Sequence, residues 1–90
     1  MHTDEYVKAP GATKEYVEDY ATWLGADTIS TSTWVVPAGI TKVSDTKTNT
    51  TTTIWISGGA HNNQYDCVNT ITTAAGRVEV RTIHIDVFRT

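Results

Sequence analysis

The reactive side chains of this sequence come closest together where the run Ser57-Gly58-Gly59-Ala60-His61-Asn62-Asn63 leads into Tyr65-Asp66-Cys67. A cysteine beside a histidine can act as a nucleophile, but only if the base is held against the thiol and lowers its pKa. His61 precedes Cys67 in a loop that fixes it nowhere. His2, His61 and His84 lie far apart, and with Cys67 and Asp66 they form no finger or zincin spacing. Glu18 with Asp19, or Glu79 with Asp86, would be the carboxylate pairs for glycoside hydrolysis. Adjacent strand residues point to opposite faces, so Glu18 and Asp19 cannot share a site. No GxSxG, P-loop or dinucleotide fingerprint occurs. The sequence therefore assigns no catalytic residue, no metal ligand and no cofactor, and it points to a protein that is not an enzyme.

Other residue types point to structure and to contact. Tyr65-Asp66-Cys67 has the spacing of the tyrosine corner, in which a Tyr lies two residues before a core Cys of an immunoglobulin-like sandwich. The glycines before it let backbone pass close to the ring. Cys67 then reads as a small buried hydrophobe. Trp34, in a strand next to Val36, is expected at the centre of the core. Trp55 has the parity opposite to Ile54 and Ile56, and Trp23 sits between a strand and its turn. Exposed tryptophans favour partner contact. Tyr6, Lys8, Trp23 and Trp55 are the candidate partner-binding residues, and Trp34, Ile54, Ile56, Tyr65, Cys67 and Ile71 the candidate core. The same tryptophans would serve a flat sugar-binding platform, so an adhesive or carbohydrate-binding module is the alternative.

The elements that must position these residues follow from composition. Eighteen of the 90 residues are threonine, nine valine and seven isoleucine, against a single leucine, Leu24. Such β-branched side chains are stiff at χ1 and pack well on a pleated sheet. The chain is expected to be an all-β, antiparallel, immunoglobulin-like sandwich of six or seven strands, with no helix required. Residues 14–90 form that domain, and residues 1–13, polar and ending near Pro10-Gly11, read as a flexible arm that could order on a neighbour. Strands are expected over 14–20, 28–36, 40–43, 54 onward, 64–73 and 77–88, with a Thr-rich turn over 44–53 and a hairpin turn at Ala74-Ala75-Gly76. Val78 and Val80 share one parity while Ile83, Ile85 and Val87 take the other, which calls for a bulge or a crossing between sheets near Arg81-Thr82, or for a strand that serves two partners along its length. Deleting residues 1–12 should then leave the fold intact and weaken partner binding.

Ninety residues make one domain with a thin core, too small to hold a deep enclosed active site as well. The formal charge is −3, which argues against a nucleic-acid binder and offers no polybasic patch for membranes. One cysteine permits no internal disulfide and fits cytosolic synthesis. The first residues lack an apolar signal core, and no apolar run approaches the roughly 20 residues of a membrane span. Synthesis in a cytoplasm without Sec-type export is the expectation. Asn49-Thr50-Thr51 matches a glycosylation sequon and reads as ordinary turn composition.

Four stretches together carry a resemblance: Trp34-Val35-Val36-Pro37-Ala38-Gly39, Ile54-Trp55-Ile56-Ser57-Gly58-Gly59, Tyr65 through Asn69-Thr70-Ile71-Thr72-Thr73, and Ala75-Gly76-Arg77. The chain resembles small proteins from the structural gene clusters of tailed bacteriophages and prophages, over about Lys14 to Val87. The resemblance implies a small immunoglobulin-like virion component, on the capsid, at the head–tail joint or in the tail. It would be present in many copies or as a symmetric oligomer bound to other virion proteins. It implies no catalytic residue.

Overall fold

The computed structural model describes residues 2–88. Its elements are β1 (His2–Lys8), β2 (Lys14–Asp19), a single helical turn α1 (Ala21–Leu24), β3 (Ile29–Val35), β4 (Ile40–Lys47), β5 (Thr51–Gly58), β6 (Asn63–Thr73) and β7 (Val78–Val87). They form a four-stranded sheet in the order β1-β7-β6-β3 and a three-stranded sheet in the order β2-β5-β4. Neighbours are antiparallel except β1, which runs parallel to β7. The chain is thus an all-β sandwich of seven strands.

Period-two alternation decides what each strand buries. In β5, Thr52, Ile54 and Ile56 are buried while Trp55 between them is exposed. In β6, Cys67, Asn69, Ile71 and Thr73 face inward, and in β7 so do Ile83, Ile85 and Val87. One cluster joins the two sheets through Tyr16, Trp34, Ile40, Ile54, Ile56, Cys67, Ile83, Ile85 and Val87, with Tyr6, Val36 and Tyr65 packed against it. A second, at the end that carries α1, gathers Tyr20, Leu24, Ile29 and Ile71, with Trp23 alongside. Each fully buried isoleucine contributes about 1.5–3 kcal/mol relative to exposure.

Three expectations are corrected. First, the segment expected to be a flexible arm is a strand. Seven residues from His2 to Lys8 pair in register with Arg81 to Val87. Tyr6 packs on Tyr16, ring centroids 4.8 Å apart. The charges that made the segment read as loop are tolerated because β1 is an edge strand. Second, β7 neither bulges nor crosses between sheets; from Arg81 onward it serves two partners, β1 as well as β6. Its register with β6 is unbroken from Asn63↔Val87 to Thr72↔Val78. The valines at its start lie on the outer side, Val78 being 61% exposed, and Glu79 and Arg81 take the inward parity. Arg81 is suited to that position, because its guanidinium lies 4.1 Å from the centroid of the Tyr20 ring and donates to the Asp19 carbonyl at 3.0 Å. The irregularities fall instead in β3, between Ile29 and Thr31, and in β4, between Lys42 and Ser44. Third, residues expected in a long Thr-rich turn continue β4 to Lys47, so the turn shrinks to Thr48-Asn49-Thr50. Thr48 closes it, its hydroxyl accepting from the Thr50 and Thr51 amides at 3.3 and 3.0 Å.

Candidate partner-binding surfaces

Among the described residues no concave cavity opens, and no group of three or more His, Cys, Asp or Glu side chains is arranged to hold a metal ion. The residues with chemical potential are spread through the sandwich instead. Cys67 is fully buried, and desolvation, with a smaller push from Asp66, raises its thiol to about 11. His61 lies exposed in the loop before it, its ring edge-on to Phe88 at 6.1 Å. Glu18 is buried while Asp19 is exposed, as alternation requires. Glu79 and Asp86 likewise fall on opposite faces of β7.

Tyr65 is half-buried against the main core, and its hydroxyl accepts a hydrogen bond from the Ala60 amide at 3.1 Å. That bond back to an upstream amide is the geometry its spacing predicts. One glycine with left-handed backbone, Gly39 from the turn before β4, makes room for the ring: a Cβ there (φ +102°) would lie 2.8 Å from Tyr65 Cε1. Of the glycines just before Tyr65, Gly59 (φ +101°) makes room for Val87 instead, where a Cβ would lie 2.9 Å from Val87 Cγ2. Trp34, Ile54, Ile56, Cys67 and Ile71 are all buried.

The four residues expected to meet a partner separate. Lys8 is 1% exposed. Its Nζ donates to the Gly58 carbonyl at 2.6 Å and the Ala9 carbonyl at 2.9 Å, and burial lowers its pKa. It ties β1 to the end of β5 and is not available on the surface. Tyr6 is half-buried on Tyr16. Trp23 is half-buried beneath Arg77, whose guanidinium lies 4.0 Å from the ring centroid and donates to the Trp23 and Leu24 carbonyls at 3.1 and 3.3 Å. Trp55 remains on the surface, 36% exposed on the outer face of the three-stranded sheet. Its register partners are Glu15 on β2 and Ser44 on β4. Val17, exposed on the same face two residues after Glu15, and Val43, exposed at the β4 bulge, extend an apolar strip across all three strands.

Two polar constellations were not named from the sequence. Asn69, fully buried, joins the sheets. Its Oδ1 accepts from the Tyr20 hydroxyl at 2.8 Å and the Thr52 hydroxyl at 3.0 Å, and its Nδ2 donates to Ser32 Oγ and the Thr33 carbonyl, both at 2.9 Å. Alternation places Asn69 inward with Cys67 and Ile71, but its partners come from β3, β5 and the end of β2. On the outer face of the other sheet, His84 lies between two carboxylates. Its Nδ1 is 2.6 Å from Asp66 Oδ1 and its Nε2 3.1 Å from Asp86 Oδ1, and its register partner on β1 is Glu5. The Asp66 hydrogen bond raises the imidazole pKa, against a smaller opposing effect of burial. His84 and Asp86 share a face by spacing alone, whereas Asp66 reaches it only through the β6–β7 register.

The arrangement offers two sheet faces and four sheet edges. No curated protein matches the chain. A family model described as podophage GP4 fiber-tail adaptor protein gp77 matches residues 8–86. That span takes in the buried Lys8, all of β2 to β6, and β7 as far as Asp86. The chain therefore belongs to the podophage GP4 fiber-tail adaptor gp77 family and is a small phage virion structural protein.

Proposed function

We propose that this chain is a non-enzymatic adaptor of the phage tail, an immunoglobulin-like module that holds a fibre protein and a tail protein together by surface contact alone. The family match carries this reading, and it favours the tail over capsid decoration or the head–tail joint. The strand order supports the immunoglobulin-like part. The β2-β5-β4 sheet and the β7-β6-β3 core of the other follow the order of constant-type domains, with the first strand paired to the last, and Tyr65 supplies the corner. The contact we assign first is the strip Val17–Trp55–Val43, because a partly exposed aromatic on a sheet face that also exposes two valines suits an interface centre. Repeated copies on a symmetric particle would let each contact be weak.

The test is sedimentation of the purified chain with tail particles that lack it. Trp55→Ala should lower the bound fraction without moving the urea midpoint. Undiminished binding would remove Trp55 from the interface, and absence of the chain from mass spectra of purified virions would overturn the adaptor reading itself. The sugar-platform alternative called for several exposed tryptophans; Trp34 is buried and Trp23 lies under Arg77, so nothing in the geometry favours it.

A further inference from the structure

The two sheets leave four edge strands: β1 and β3 in one, β2 and β4 in the other. Edges invite pairing with another chain, and proteins block them with charge or bulges. Three of these edges are blocked. β1 carries the exposed Glu5, and β2 the exposed Lys14, Glu15 and Asp19. β4 carries Lys42, Asp45 and Lys47, with Lys42 paired to Asp45 at 3.2 Å and a register shift between Lys42 and Ser44. β3 reads Ile-Ser-Thr-Ser-Thr-Trp-Val, with neither charge nor proline, and its register shift is confined to its start, between Ile29 and Thr31.

Only the first residue of β3 is covered. The Ile29 amide donates to the Asn49 carbonyl at 2.9 Å, and Lys47 Nζ donates to the Ile29 carbonyl at 3.3 Å. From Thr31 to Val35, among the described residues, no backbone–backbone hydrogen bond reaches any element except β6. The outer face beside this edge is also uncharged. Thr31, Thr33 and Val35 are exposed, Val35 at 67%, and their partners on β6 are Thr72, Thr70 and Val68.

We propose that the Thr31–Val35 edge of β3 accepts an extended, uncharged strand from a neighbouring virion protein, lengthening the β1-β7-β6-β3 sheet by one. This rests on the adaptor reading above and supplies it with a second contact, separate from the Trp55 strip. Backbone bonds would hold the strand, and alternate β-branched or hydroxyl side chains would pack beside Thr31, Thr33 and Val35. A charged strand would set its charges against a row that offers no counter-ion. A second copy of the chain is the less suitable occupant. Five residues of edge span about 17 Å, far less contact than the ~1,200 Å² of a stable free-standing interface. Each copy also carries a net charge of −3. A strand tethered to a particle has the effective concentration that so short an edge needs.

The experiment is hydrogen exchange read by mass spectrometry on the full chain, alone and with the fibre protein or the tail protein of the same phage. Binding of one of them should slow exchange over residues 31–35. The double variant Thr31→Lys with Thr33→Lys, whose side chains lie on the exposed face, should keep the urea midpoint and weaken that binding at least tenfold. Trp55→Ala should leave the protection of 31–35 in place. Binding with 31–35 still exchanging at the free rate, or undiminished in the lysine variant, would overturn the strand addition and leave the adaptor reading standing. No binding to either protein would overturn both. A self-dimer in sedimentation that the lysine variant dissolves would make a second copy the occupant and likewise overturn the proposal.

Discussion

Replacing Asn69 by leucine removes a buried side chain that is hydrogen-bonded from both layers. The change keeps the volume similar, so the main effect is on the partners left behind. Tyr20 and Thr52 are both fully buried, and each donates to Asn69 Oδ1. An orphaned buried donor costs about 1–3 kcal/mol, so the pair loses about 2–6 kcal/mol. Ser32 is only half-buried and can turn to water, and the loss at the Thr33 carbonyl adds to the total. A domain of this length has about 5–13 kcal/mol in all, so Asn69→Leu should consume a large part of it. At roughly 4–8 °C per kcal/mol the melting temperature should fall by at least about 8 °C. The assay is urea unfolding followed by tryptophan fluorescence, with an unchanged slope confirming that the same surface unfolds. Adding Tyr20→Phe and Thr52→Val to Asn69→Leu removes the orphans with their partner. The triple variant should recover most of the loss, because deleting both members of a buried pair is nearly neutral. If Asn69→Leu alone costs under about 1 kcal/mol, or the triple variant is no better than the single, the amide is not what joins the sheets.

Deleting residues 2–8 should lower stability by about 2 kcal/mol or more, because Tyr6 packs on the core and Lys8 is buried; an unchanged urea midpoint would return the segment to the status of an arm. His84 is held as an imidazolium between Asp66 and Asp86, so its folded pKa lies above the unfolded value of about 6.5. The stability it contributes is complete below about pH 6.5 and is lost as pH rises through the folded value. An NMR titration should show that elevation, and Asp66→Asn should reduce it; a midpoint at or below 6.5 in the native chain would refute the pairing. The Cys67 thiol, pushed up to about 11 by burial, should ignore a thiol-reactive dye at neutral pH until urea unfolds the chain. Gly39→Ala meets both a left-handed φ and the Tyr65 ring and should cost about 1–3 kcal/mol, read as a lower urea midpoint.

Local alternation was enough to place Ile54 and Ile56 inside with Trp55 outside, and Cys67, Asn69 and Ile71 on one inner face. Spacing was enough for the Tyr65 hydroxyl, since the Ala60 amide that it meets lies in the same short stretch, but not for the glycine that its ring requires, because Gly39 comes from a distant turn. What alternation cannot carry is pairing across the chain. β1 is polar enough to pass for a loop, and it is a strand only because β7, more than seventy residues later, offers it an edge. Arg81 breaks the apolar parity of β7, and it belongs inside because the Tyr20 ring and the Asp19 carbonyl are there to receive it. The same limit hid which of the candidate contact residues stay on the surface. Lys8 and Trp23 looked available as side-chain types, yet Gly58 and Arg77 respectively occupy them. Trp55 was legible because its exposure follows from strand parity, whereas the open character of β3 emerges only once the order of strands shows which of them lie at the rims.

The parallel pairing of β1 with β7 also fixes how the molecule would carry tension. His2 lies beside Arg81 at one end of the ladder, and Lys8 beside Val87 at the other. A pull applied through residue 2 and residue 88 therefore draws the two strands past each other lengthwise. All seven paired positions resist together, where an antiparallel pair of terminal strands would peel apart one bond after another. Rupture then requires the whole ribbon to slide at once, which raises the barrier that governs forced unfolding. A component strung between two bodies that tug on each other gains toughness from this arrangement without needing a larger core.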